Sequence, residues 1–101
     1  MENNPNRTVR ISVKNGEIKC NPHEVRARHL EDIEWLCEDG YPFTIYFGSY
    51  TPFDDESFSG NPKSKMKVKV KVHRSLKFKY IVGVYFDGKV LIKDPDVIID
   101  P

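Results

Sequence analysis

The side chains of this 101-residue chain best suited to chemistry are two cysteines, Cys20 and Cys37, and three histidines, His23, His29 and His73. Cys20-x-x-His23 has the spacing of two neighbouring metal ligands, and with Cys37 it supports one reading as a metal-binding or redox protein. Zinc, however, takes four ligands, and no second pair has a comparable spacing. His29, Cys37 and His73 could converge only through the tertiary fold. A Cys/His nucleophilic pair needs a thiol whose pKa is lowered by a helix start or a fixed base, and neither cysteine stands beside one. The carboxylates Asp54, Asp55 and Glu56 sit too close together for a calcium loop, which alternates its oxygen ligands over a longer stretch. The expectation is therefore reduced thiols, surface imidazoles, no resident cofactor and no catalytic centre.

A second pattern concerns charge. Lys65, Lys67, Lys69 and Lys71 alternate with Met66, Val68, Val70 and Val72, so a strand there has one apolar face and one lysine face. Eight of the sixteen basic residues fall between Lys63 and Lys79. Glu31, Asp32, Glu34, Glu38 and Asp39 gather elsewhere, so a strongly dipolar molecule is expected despite a net charge of only +1. Such a stripe could track a nucleic-acid backbone or steer an acidic protein partner into place. It also protects an exposed strand from pairing edge to edge. Nucleic acid is the weaker candidate, because its binders carry a larger positive excess. The expected contact surface is Lys65, Lys67, Lys69 and Lys71 with the aromatics Tyr46, Tyr50 and Phe53 as anchors.

The elements that must position these groups read as strands. A chain of this length makes one domain and buries roughly two-thirds of the surface its unfolded form exposes. No apolar run is long enough to span a bilayer. The opening residues, MENNPNRT, lack the apolar segment of a secretory signal, so residues 1–6 are expected as a polar tail, residues 7–101 as a single β-sandwich domain, and the location as cytoplasmic. Val9, Ile11 and Val13 alternate with polar neighbours, and Asn15-Gly16 supplies the positive φ angles of a tight hairpin. Tyr41, Phe43, Ile45 and Phe47 form the next clear inward face. Residues 48–64 read as a long loop whose aromatics Tyr50, Phe53 and Phe58 cover one end of the core. Phe78, Tyr80, Val82, Val84 and Phe86 predict the longest strand, turned at Asp87-Gly88, and Val97-Ile98-Ile99 a last short one.

Residues 22–38 admit two readings. Asn21 could cap a helix with Pro22 at its first position, Gly40 could end it, and Val25, His29, Ile33 and Leu36 would share a face. Alternatively Val25 and Ala27 belong to one strand, and Ile33, Trp35 and Cys37 to the inward face of another. The whole pattern predicts an all-β antiparallel Greek-key sandwich of seven or eight strands, cupredoxin-like or immunoglobulin-like.

The order of short motifs also resembles one family. Ile33-Glu34-Trp35, the run from Pro42 to Phe47, Pro52-Phe53, Lys79-Tyr80-Ile81-Val82 and the run from Asp94 to Ile99 are similar to the cupredoxin-like β-sandwich domains of small bacterial proteins. This resemblance covers about three-quarters of the chain and favours two strands over residues 23–37. Copper-binding members carry electrons through two imidazoles, a thiolate and a weak axial methionine. The resemblance places the first imidazole at Phe43, which cannot ligate, and the others within residues 75–101, which contain no Cys, His or Met. It thus implies a copper-free sandwich acting as a non-catalytic interaction module.

Overall fold

The computed structural model describes residues 7–60, 66–72 and 74–100. Eleven strands follow one another: β1 (Thr8–Lys14), β2 (Glu17–Asn21), β3 (Glu24–Arg28), β4 (Asp32–Cys37), β5 (Phe43–Tyr46), β6 (Ser57–Gly60), β7 (Met66–Lys69), β8 (Leu76–Lys79), β9 (Ile81–Phe86), β10 (Lys89–Lys93) and β11 (Asp96–Asp100). Their hydrogen bonds define three sheets, here sheet I (β2-β1-β4-β7), sheet II (β10-β9-β5-β6) and sheet III (β3-β11-β8). They pack as a sandwich-like slab with extents of 40 × 32 × 19 Å. Among the described residues no helix is long and apolar enough to cross a membrane. The expected polar tail at residues 1–6 lies outside the described residues.

Both predicted tight turns form. Asn15 and Gly16 have φ angles of 55° and 77°, and Asp87 and Gly88 of 53° and 76°. Successive positive φ values match the right-handed twist of the flanking strands, which is why these dipeptides close β1-β2 and β9-β10. The helix considered for residues 22–38 does not form. A helix would bring His29 onto the same face as Val25 and Ile33, whereas in β3 and β4 Val25, Ala27, Ile33 and Trp35 are buried and His29 is exposed. Tertiary partners decide the matter: β3 lies parallel to β11, and β4 lies between β1 and β7. Each partner satisfies backbone groups that a helix capped at Asn21 and ended at Gly40 would have paired internally.

Three features refine the strand pattern. Two pairings, β1 with β4 and β3 with β11, are parallel, so sheets I and III are mixed. The run from Phe78 to Phe86 is divided at Tyr80, where the chain leaves sheet III and enters sheet II. Tyr80 N–H there donates to Pro95 O at 3.1 Å instead of joining a ladder. The stretch expected as loop contains β6, whose Ser57, Phe58, Ser59 and Gly60 pair antiparallel with β5.

The interior is organised around Trp35. Its ring meets Phe53 at 5.8 Å and Tyr80 at 5.7 Å edge-on, and Phe58 at 6.0 Å. Phe47 stacks on Tyr80 at 4.9 Å. The indole Nε1–H donates to the Tyr80 hydroxyl at 3.0 Å, a buried hydrogen bond joining β4 to the switch between β8 and β9. At the β5-β6 pairing Phe43 stands opposite Gly60, and a Cβ on Gly60 would overlap the Phe43 ring. Glycine is therefore required there by space, and the ring covers the backbone that glycine leaves bare.

These contacts set two expectations. Tyr80→Phe leaves the indole N–H buried without an acceptor and should lower unfolding free energy by about 1–3 kcal/mol, read from denaturant melts of tryptophan fluorescence. Gly60→Ala should cost about 1–3 kcal/mol by forcing Phe43 from its place. An unchanged midpoint for Gly60→Ala would show that the ring has room to move.

Candidate interaction surface

Among the described residues the cysteines and histidines do not assemble into a site. Cys20 on β2 is half-buried and Cys37 at the end of β4 is buried, both as free thiols. His23 and His29 are exposed, and His73 lies outside the described residues. Among the described residues no three of His, Cys, Asp or Glu gather so as to hold a metal ion. Burial pushes the Cys20 thiol up to about 11, with nearby Lys93 pulling it partly back. A thiol so shifted is a poor nucleophile at neutral pH, because the thiolate is the reactive form.

The lysine stripe takes its place on β7, at the edge of sheet I, although Lys65 lies outside the described residues. Its partner strand is the acidic β4. The antiparallel register sets Lys67 opposite Glu34 and Lys69 opposite Asp32. Their charged atoms approach to 3.9 and 3.5 Å, and Lys71 reaches Asp54 at 3.7 Å. Lys69 Nζ also donates to Leu30 O at 3.3 Å. The basic and acidic clusters that look separate along the chain are thus interleaved in space. Lys67, Lys69 and Lys71 each have a carboxylate within reach. Exposed pairs of this kind are each worth about 0–1 kcal/mol, so they neutralise the stripe more than they hold the sheet.

The aromatic anchors expected beside the stripe also part company. Phe53 is no surface anchor: it is buried against Trp35, Phe47 and Phe58. Tyr50 is exposed but leans on Phe78 of β8 at 4.6 Å. Tyr46 projects from β5 in sheet II. The expected residues are consequently divided between β7 and the residues after it, β5 of sheet II, and the connection between β5 and β6.

A different face emerges on sheet II. Alternation turns Phe43, Ile45, Val82 and Val84 inward and leaves Thr44, Tyr46, Ile81, Gly83 and Tyr85 on the outer side, joined by Val90 and Ile92 of β10 and by Ser57 and Ser59 of β6. Tyr46, Ile81, Tyr85, Val90 and Ile92 are 49, 41, 56, 62 and 67% exposed. Among the described residues, no charged side chain from these strands falls on this face. Thr44 and Ser59 exchange a hydroxyl hydrogen bond across it at 3.1 Å. The sequence carried the signal as alternation within residues 81–92: once Val82 and Val84 are inward, Ile81 and Tyr85 must face out, and the pairing with β10 adds Val90 and Ile92. A large exposed apolar patch of this kind marks a contact surface more strongly than scattered apolar residues do.

At the sandwich rim the end of β10 approaches β2. An open groove of about 310 Å³ lies between them, lined by Gly16, Glu17, Ile18, Leu91, Ile92 and Lys93. Comparison with protein-family models, curated proteins and solved structures gives no match for the chain.

Two measurements follow from this geometry. Lys69→Glu, by opposing Asp32 with a like charge, should destabilise the protein by roughly 1 kcal/mol or less, and adding Asp32→Lys should restore most of the loss in a double-mutant cycle. For Cys20, the unfolded thiol ionises at about 8.5 while the folded thiol stays protonated to about 11. The unfolded state therefore binds fewer protons in that window, and stability should fall as pH rises through it and level off above. A Cys20→Ser variant should lack this component of the alkaline loss.

Proposed function

We propose that the chain is a non-catalytic β-sandwich interaction module of the cytoplasm, a copper-free relative of the cupredoxin-like domains, and that it holds a protein partner on the outer face of sheet II. The single observation carrying this reading is the face built by Tyr46, Ile81, Tyr85, Val90 and Ile92, which bears no charged side chain among the described residues. Two exposed tyrosines supply large, stiff contact area with a polar tip, the side-chain type that dominates the energy of protein interfaces. The relation to cupredoxin-like domains is supported by the ordered motifs, of which Trp35 and Tyr80 meet through their hydrogen bond and Phe43 is core. On this reading the stripe from Lys65 to Lys71 chiefly guards the edge of sheet I and keeps it soluble, and an acidic partner is secondary.

A photo-crosslinking residue placed at Tyr46 or Tyr85 should give covalent protein adducts in cells. The same residue at Glu34 or Lys67 should give none. Adducts confined to the sheet I positions would transfer the contact surface to the lysine stripe.

A further inference from the structure

We propose that the partner held on sheet II is a second copy of this chain, the two outer faces packing around a two-fold axis into a four-layer stack. This rests on the interaction-module reading and names its partner. Three observations point to it.

The first is charge. A two-fold interface is self-complementary, so each charged residue on it risks meeting a like charge. The outer sides of sheets I and III carry carboxylates, lysines and arginines, as in Glu34 with Lys67 and Arg26 with Asp100. The outer side of sheet II carries only apolar, aromatic and hydroxyl groups among its described residues. With a net charge of +1, two copies also meet with little long-range repulsion.

The second is area. Aromatic side chains bury roughly 150–250 Å² each and aliphatic ones less, so the two tyrosines and three aliphatic residues at their observed exposures contribute at most on the order of 500 Å². Thr44, Ser57 and Ser59 extend the patch toward the roughly 800 Å² per partner that a standard interface uses.

The third is shape. Gly83 lies in the middle of the face, flanked along its own strand by Ile81 and Tyr85 and across it by Thr44 and Ile92. Its missing side chain leaves a hollow among these neighbours, bordered by Val90, whose Cγ1 lies 3.6 Å from where a Cβ would stand. Glycine inside a strand weakens it and often marks a place where another chain comes close. No packing demand within the protomer requires glycine here, since an added Cβ would come no nearer than 3.6 Å, to Val90 Cγ1, an ordinary contact. The hollow is a socket for an aromatic or aliphatic side chain of the opposing copy. Tyr85 and Ile92 are the candidate knobs.

Sedimentation velocity over a micromolar-to-millimolar range tests this. The wild-type protein should sediment as a dimer at the upper end. Gly83→Val should weaken dimerisation tenfold or more while holding or raising the melting temperature, because a β-branched residue suits a strand and only the socket is filled. Ile92→Glu should give a monomer at all concentrations, with the melt showing that it remains folded. A wild-type protein that stays monomeric at millimolar concentration overturns the proposal, and so does a dimer indifferent to both substitutions. Crosslinks from Tyr85 to a different protein, with a monomeric wild type, would remove the second copy as partner and leave the face itself in use. Crosslinks absent from Tyr46 and Tyr85 altogether would remove both.

Discussion

The hydrogen bond from the Trp35 indole to the Tyr80 hydroxyl is the constraint on which the arrangement of strands depends. Both groups are fully buried. An indole N–H without an acceptor would keep its desolvation penalty, so Tyr80 must be held at one position and depth. That position is also where the chain passes from sheet III to sheet II. Fixing Tyr80 aligns β8 with β11 on one side and β9 with β5 on the other. Burial in turn holds the Tyr80 hydroxyl protonated far above the ordinary range of a phenol, opposed by the hydrogen bond from Trp35. The aromatic rings of Phe47, Phe53 and Phe58 close around this pair and exclude water from it.

Much of the fold was legible in the sequence because half-buried strands write their two faces as alternation. Val9-Ile11, Phe43-Ile45 and Val82-Val84 are inward as their spacing requires, and Asn15-Gly16 and Asp87-Gly88 turn where their backbone freedom permits. Less was legible where two local signals agreed with two folds. Asn21-Pro22 and Gly40 would punctuate a helix as well as they bound the β3-β4 region, and only the distant β1, β7 and β11 distinguish the cases. The strand β6 was hidden because SFSG has little apolar content, and its pairing depends on Phe43 lying over Gly60. The division at Tyr80 was invisible for the opposite reason. Its alternation is unbroken through a change of sheet.

The contact surface was the least legible part. Lysines repeat visibly along one strand, but their electrostatic meaning depends on what stands opposite, and Asp32, Glu34 and Asp54 stand there. Conversely the apolar face of sheet II comes from three separate segments, and in each the outward residues look like ordinary strand formers. Only register brings Tyr46 beside Ile81, and Tyr85 beside Val90. Charge pattern is local in sequence, whereas the absence of charge across a face is a property of assembled strands.

The placement of β11 carries a consequence for how the protein is made. It is the middle strand of sheet III, parallel to β3 and antiparallel to β8, yet it is built from residues 96–100. During synthesis β3 and β8 leave the ribosome with no strand to join them, and Val25, Ala27 and Phe78 stay without their cover until Val97 and Ile99 arrive. Closure therefore links residues more than seventy apart, the kind of distant pairing that slows folding. In that interval the nascent chain depends on whatever shields its open strands, so a truncation before residue 96 yields a substrate for chaperones and proteases instead of a smaller version of the domain.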